Sequence, residues 1–157
     1  MKKIITILVL LLIIPVTSKA ETVLLSLKSQ CLNNSDVSVY INNKEVYGFQ
    51  EEYFISLSPI FYAVDNTGKE YYVFQDNPEG NMCDGADLRI FERENNKFTY
   101  MDTIEWCAPG YPEISFNNTT KEITVKGEII SRYPEGLKFP LIYVYKNGEV
   151  KTIKGYE

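Results

Sequence analysis

Ile142-Tyr143-Val144-Tyr145-Lys146-Asn147-Gly148-Glu149-Val150-Lys151-Thr152-Ile153 reads as one β-hairpin. Runs of β-branched and aromatic residues, which suit a pleated and half-buried surface, flank Asn147-Gly148. That dipeptide accepts the positive φ of a two-residue hairpin turn better than almost any other. Working back from it, the same grammar recurs. Ile114 to Phe116 and Ile123 to Val125 flank Asn117-Asn118-Thr119-Thr120, and Leu88 to Phe91 and Phe98 to Met101 flank Glu94-Asn95-Asn96. Phe61 to Val64 and Tyr71 to Phe74 flank Asp65-Asn66-Thr67-Gly68, and Val37, Val39 and Ile41 alternate with Ser38 and Tyr40 up to Asn42-Asn43, after which Glu45 to Gln50 returns. Val23 to Leu27 adds an edge strand. No stretch beyond residue 20 keeps a 3.6-residue period for ten residues. The pattern predicts an all-β, antiparallel domain of about ten short strands built from consecutive hairpins. A sandwich or a barrel buries one face of so many strands, and a propeller-like arrangement is the third option.

The first twenty residues follow a different rule. Met1, Lys2 and Lys3 precede an apolar run from Ile4 to Val16, and Ser18 and Ala20 supply the small residues of a signal-peptidase site. This is the layout of a secretory signal, with the expected cut between Ala20 and Glu21. As a helix the apolar run spans about 20 Å, short of the roughly 30 Å of a bilayer's hydrocarbon core. The expected organisation is therefore a cleaved signal, residues 1–20, and a single β domain, residues 21–157, in the periplasm or outside the cell.

Charge narrows the partners. All 21 acidic residues lie beyond residue 20 and three of the 16 basic ones before it, so the net charge of −5 becomes −8 for residues 21–157. Such a surface has no electrostatic attraction for nucleic acid or an anionic membrane and favours a basic partner. The chain has no His, which removes the usual general base, the usual zinc ligand and every Ser-His or Cys-His arrangement. No cofactor is implied.

Of the three cysteines, Cys83 precedes one hairpin and Cys107 follows it. In an oxidising compartment a Cys83–Cys107 disulfide would clamp that hairpin's base, leaving Cys31 buried or paired differently. The stretch from Asp76 to Leu88 carries Asp and Asn around glycines, as a Ca²⁺ loop would. Its spacing does not fit an EF-hand, and Met82 and Cys83 stand where oxygen ligands belong. It reads as an acidic turn entering a strand, with no metal. Glu51-Glu52, Glu92 with Glu94, and Glu105 are the carboxylates available for glycosidase-type chemistry, and nothing in their spacing places two of them in one cleft. Trp106, Tyr111 and Tyr133 lie beside Pro or Gly, so their loops lose little entropy on docking. Rigid aromatic tips are common anchors, although Trp106 is equally suited to capping the end of a sandwich.

From Asp84 onward the order of motifs resembles exported FG-GAP-like bacterial proteins related to periplasmic lysozyme inhibitors and immunity proteins. The matching elements are Asp84-Gly85-Ala86-Asp87-Leu88, Asn96-Lys97-Phe98, Ile114-Ser115-Phe116-Asn117 with Thr120-Lys121-Glu122-Ile123, and the closing hairpin through Gly148. The spacing of Asp-Gly to the next Asp is one residue shorter than that family's. The resemblance covers residues 84–157 and implies a β-rich, non-catalytic protein that inserts a loop into an enzyme's cleft. The expected function is thus an inhibitor or immunity protein against a basic cell-wall hydrolase or secreted toxin, with Glu79, Asp84, Tyr111, Tyr133 and Glu135 meeting the partner. Two other classes compete: a surface or structural β-module for adhesion or assembly, and a carbohydrate-binding module with Trp106 and the tyrosines as stacking platforms.

Overall fold

The computed structural model describes residues 23–30, 34–51, 55–78, 86–106, 108, 111–132 and 135–154, with side chains from residue 36 onward except near the ends of these segments. They form eleven strands: β1 (Val23–Gln30), β2 (Asn34–Ile41), β3 (Lys44–Glu51), β4 (Ile55–Val64), β5 (Glu70–Pro78), β6 (Leu88–Glu94), β7 (Lys97–Ile104), β8 (Glu113–Asn117), β9 (Glu122–Arg132), β10 (Glu135–Lys146) and β11 (Glu149–Lys154). All pairings are antiparallel and all follow chain order. The result is three meanders: β1-β2-β3, β4-β5-β6-β7 and β8-β9-β10-β11. The all-β class and the hairpin construction are as the sequence predicts, and no barrel closes among the described residues.

The turns sit where the sequence places them. Asn42-Asn43, Asn95-Asn96 and Asn147-Gly148 all have both residues at positive φ. That geometry matches the right-handed twist of the strands they join. The β8–β9 turn is held by the Asn117 side chain, whose Oδ1 accepts from the Thr119 and Thr120 amides at 2.9 and 3.2 Å.

The sheets stack in three layers, with the β4–β7 sheet in the middle. Along β5, Tyr71 and Val73 join a core with the C-terminal sheet, and Tyr72 and Phe74 join a second core with the N-terminal sheet. The first core holds Leu88, Ile90, Ile104 and Trp106 against Ile123, Val125, Leu141 and Tyr145. The second is largely aromatic, with Tyr72, Phe74, Phe91 and Phe98 under Val37, Val39 and Ile41. Phe91 meets Phe74 edge-on at 5.3 Å and Tyr47 edge-on at 5.2 Å. Such pairs add about 0.5–1.5 kcal/mol beyond the burial of their area. A strand buried on both faces needs a continuous apolar run rather than an alternating one, and Tyr71-Tyr72-Val73-Phe74 is that run.

Four of the five register shifts fall on edge strands. An extra residue bulges out of β3 at Val46, β4 at Ile60, β7 at Met101 and β11 at Ile153. Bulges on edges deter pairing with other chains. They also place neighbours on one side: Ile60 and Phe61 both pack on the core shared with the C-terminal sheet.

Gly127 on β9 marks the tightest packing. A Cβ there would lie 2.3 and 2.6 Å from atoms of the Trp106 indole. Trp106 is itself buried, at 1 % exposure, so the ring has no room to retreat. Gly127→Ala is expected to destabilise the protein by about 1–3 kcal/mol through overpacking. A urea-denaturation midpoint unchanged from the parent would contradict this placement.

Candidate functional site

Two places concentrate side chains that could carry function, and they lie at opposite ends of the central and C-terminal sheets. At one end sit the β4–β5 and β8–β9 turns. Asp65 Oδ1 accepts from the Thr67 amide at 2.8 Å, the Thr67 hydroxyl at 2.6 Å and the Lys69 amide at 3.1 Å. Its other oxygen faces Lys121 Nζ at 3.3 Å and accepts from the Tyr71 hydroxyl at 3.4 Å. Lys121 also donates to Asn66 and Asn118, and Asn118 Oδ1 accepts from the Asn66 amide at 3.2 Å. The two turns are thereby stapled together. Deeper in, Glu92 is paired with Lys69 at 2.5 Å and accepts from the Tyr145 hydroxyl at 2.8 Å.

Asp65, Tyr71 and Tyr145 are shifted by this network. Burial pushes the Asp65 carboxyl upward, but the hydrogen bonds from Thr67, Lys69 and Lys121 outweigh it and hold the group well below the usual carboxylate range. Burial, with the charges of Asp65 and Glu92, pushes Tyr71 up to about 12. Burial and Glu92 push Tyr145 higher still. No buried side-chain polar atom among the described residues lacks a partner. Hydrogen bonds that favour the charged carboxylate make Asp65 a weak base, and through Lys121, Asn66 and Asn118 the cluster holds the two turns together.

The opposite end is different. Here β7 leaves the central sheet and the chain crosses to β8 through Glu105, Trp106, Ala108, Tyr111 and Pro112. Tyr111 is 83 % exposed, the most exposed of the large hydrophobic residues described. With Ile60, Phe61, Pro112 and Ile114 it lines a shallow notch of about 390 Å³ between the edge strands β4 and β8. The β4 bulge shapes one wall by presenting Ile60 and Phe61 consecutively, and Pro112 stiffens the other. Glu105 and Glu113, both exposed, bracket the crossing segment. Asp87, at the start of β6, is raised in pKa mainly by burial and then by the neighbouring charge of Asp76.

Of the five residues expected to meet a partner, Tyr111 is therefore an exposed aromatic on a formed surface. Glu79, Asp84 and Tyr133 lie outside the described residues, as do Cys31, Cys83 and Cys107 and with them the Cys83–Cys107 pairing. Glu135 is described only as the first residue of β10, across from Arg132. β5 ends and β6 begins at the Tyr111 end, where the Asp76 amide donates to the Asp87 carbonyl at 2.9 Å. Trp106 is enclosed, 6.3 Å from the Tyr143 ring, and so caps the sandwich rather than offering a stacking face. Asp76 is committed to Arg89 at 2.8 Å, and among the described residues no three His, Cys, Asp or Glu are grouped to hold a metal ion. Glu92 is buried and Glu94 exposed, and the charges of both act on Tyr71. The apolar wall of Ile60, Phe61 and Ile114 has no signal in the sequence, because it arises from a bulge and from two edge strands lying side by side.

Comparison of the chain with protein-family models, with curated proteins and with solved structures finds no match.

The network gives a pH dependence of definite sign. Asp65 has a folded pKa below the roughly 3.9 of an unfolded Asp, so its stabilisation is present above about pH 4 and is lost as pH falls through the folded value. Tyr71 is raised to about 12, so its contribution is intact below about pH 10 and is lost as pH rises toward the folded value. Asp65→Asn is expected to lower stability at neutral pH, to flatten the acid limb and, because the Asp65 charge helps hold Tyr71 up, to shrink the alkaline limb as well. Denaturation curves from pH 1 to 12 check both limbs, and an acid limb unaltered by the substitution would contradict the assignment.

Proposed function

We propose that residues 21–157 form an exported binding protein that blocks a basic enzyme acting on the cell wall, a hydrolase or a secreted toxin of that kind. The observation that carries this reading is Tyr111, an exposed aromatic ring at the rim of a shallow notch on an otherwise acidic chain. Exposed aromatic anchors bordered by charge are common in protein-binding hot spots. The charge of −8 on residues 21–157 supplies attraction to a basic cleft. It speeds encounter and weakens with salt. Tyr111 docks, Pro112 limits the entropy lost, and Glu105 and Glu113 meet basic groups at the rim. Glu79, Asp84, Tyr133 and Glu135 extend the acidic and aromatic contact in this reading.

The proposal also accounts for where the carboxylates are spent. Asp65, Asp76 and Glu92 are each neutralised by a Lys or Arg, while Glu105 and Glu113 are exposed beside the notch. Burial of Trp106 counts against a stacking platform for sugars, which needs a row of open rings.

The test is a lysis assay on purified cell wall, with the processed protein titrated against a set of basic hydrolases and toxins. At least one enzyme is expected to lose activity at stoichiometric protein, with inhibition falling as salt rises. Tyr111→Ala is expected to weaken that inhibition at least about tenfold with no change in the denaturation midpoint, since the side chain is exposed. Full lytic activity of every enzyme in the presence of excess protein would refute the reading.

A further inference from the structure

The core shared by the central and C-terminal sheets is thinly covered along one margin, between the edge strands β4 and β8. Ile60 and Phe61 on β4 and Ile114 and Phe116 on β8 all pack on this core, yet each remains partly exposed. Three of them, Ile60, Phe61 and Ile114, also line the notch beside Tyr111 and Pro112. Half-buried apolar groups of this kind are stabilised further by whatever covers them.

β8 offers the backbone to hold such a cover. It pairs with β9 from Glu113 to Asn117, and among the described residues no strand pairs with its other side. Alternate residues of an antiparallel strand turn their amide and carbonyl groups away from a given neighbour. Of the five residues of β8, every second one therefore presents its main-chain groups outward. The other edges of these two sheets, β4, β7 and β11, are each interrupted by a register shift. β8 pairs without one. A row of free main-chain groups beside a side-chain recess is the arrangement that receives an added strand. The shortness of β8 keeps that row from pairing indiscriminately, so binding depends on what fills the notch.

We infer that β8 receives an extended segment of the partner protein, in which apolar and basic side chains alternate, as an added strand of the C-terminal sheet. The inference rests on the reading of the Tyr111 notch as the docking place, and it names what enters there. The register dictates the alternation. Ile114 and Phe116 face the core, while Glu113, Ser115 and Asn117 are exposed. Residues directly across from one another in a strand pair share a face. Those of the segment that oppose Ile114 and Phe116 thus point inward, toward Ile60 and Phe61, and are apolar. The one opposite Glu113 points outward and meets its carboxylate. Glu105 is also exposed at this end, and neither glutamate is in an ion pair among the described residues. Opposite charges across a strand pair stabilise it, so the outward positions suit Lys or Arg. Charge also selects against a second copy of this chain, since two copies at −8 each over residues 21–157 repel one another.

The experiment follows the amide resonances of the isotope-labelled processed protein as a synthetic peptide is added up to about 1 mM. The peptide has about seven residues and alternates Lys with Ile, enough to run the length of β8. Shifts centred on β8, Ile60 and Phe61 are expected. A peptide of the same composition, with its Lys and Ile in two blocks, is expected to bind at least about tenfold more weakly. Two further peptides carry N-methyl groups, one on its Ile amides and the other on its Lys amides. Only one set faces β8 in an added strand, so one peptide is expected to lose binding and the other to keep it. Glu113→Lys is expected to weaken the alternating peptide by about threefold or more, with its fold checked by the urea midpoint. The inference is overturned if the alternating peptide leaves β8 unmoved, if the block peptide binds as well, if the two methylated peptides behave alike, or if Glu113→Lys binds like the parent. A dimer of the protein alone that the peptide dissociates would assign the edge to a second copy and overturns it too. Inhibition of a lytic enzyme is read separately. An enzyme blocked without peptide binding leaves the inhibitor reading standing and removes this one, and peptide binding with no enzyme blocked does the reverse.

Discussion

The whole arrangement depends on one sheet being buried on both sides. β5 is the strand that makes this possible. Tyr71 and Val73 face one core, Tyr72 and Phe74 the other, and burying each such side chain stabilises the fold by about 1.5–3 kcal/mol. A sheet clamped in this way cannot flex toward either neighbour without opening a core. The outer sheets therefore have a fixed reference, and so have the edge strands β4 and β8 whose side-by-side placement creates the notch at Tyr111.

Polar groups inside the stack serve the same end. Tyr71 lies in the apolar core, yet its hydroxyl reaches Asp65. Tyr145 comes from the facing sheet and reaches Glu92. Each phenol buries its ring and satisfies its oxygen, and each carboxylate is matched by a lysine. Such a network is costly if incomplete and rigidifying if complete. With the turns at one end locked by it, the exposed aromatic ring is left to the other end, where recognition is proposed. The bulges divide labour in a similar way. They interrupt the outer edges and also rotate particular residues inward. At β7, Met101 packs on the core while Asp102 accepts the Val150 amide at 2.8 Å.

The local structure was largely legible in the amino-acid sequence. Asn-Asn and Asn-Gly pairs force two-residue turns, and five hairpins follow from them and from the Asp65 and Asn117 turns. The stacking was less legible. Alternation along a strand reports that one face is buried but does not identify what covers it, and three meanders fit a sandwich, a barrel or blades equally well. The continuous apolar run at Tyr71–Phe74 was the signal that one sheet is covered twice. Of the candidate site, Tyr111 could be chosen because Gly110 and Pro112 flank it. Ile60, Phe61 and Ile114 could not, since each reads as an ordinary strand residue until the register is known.

Native-state hydrogen exchange tests the central claim most directly. If the β4–β7 sheet is covered on both faces, the amides of Tyr72, Val73, Phe74, Ile90 and Phe91 exchange only through global unfolding, with the full denaturant dependence of the whole protein. The amides of β3, on an outer sheet, exchange earlier through smaller openings. Amides of β5 and β6 that exchange as readily as those of β3 would show that one face of the central sheet is open, and the three-layer account would be wrong.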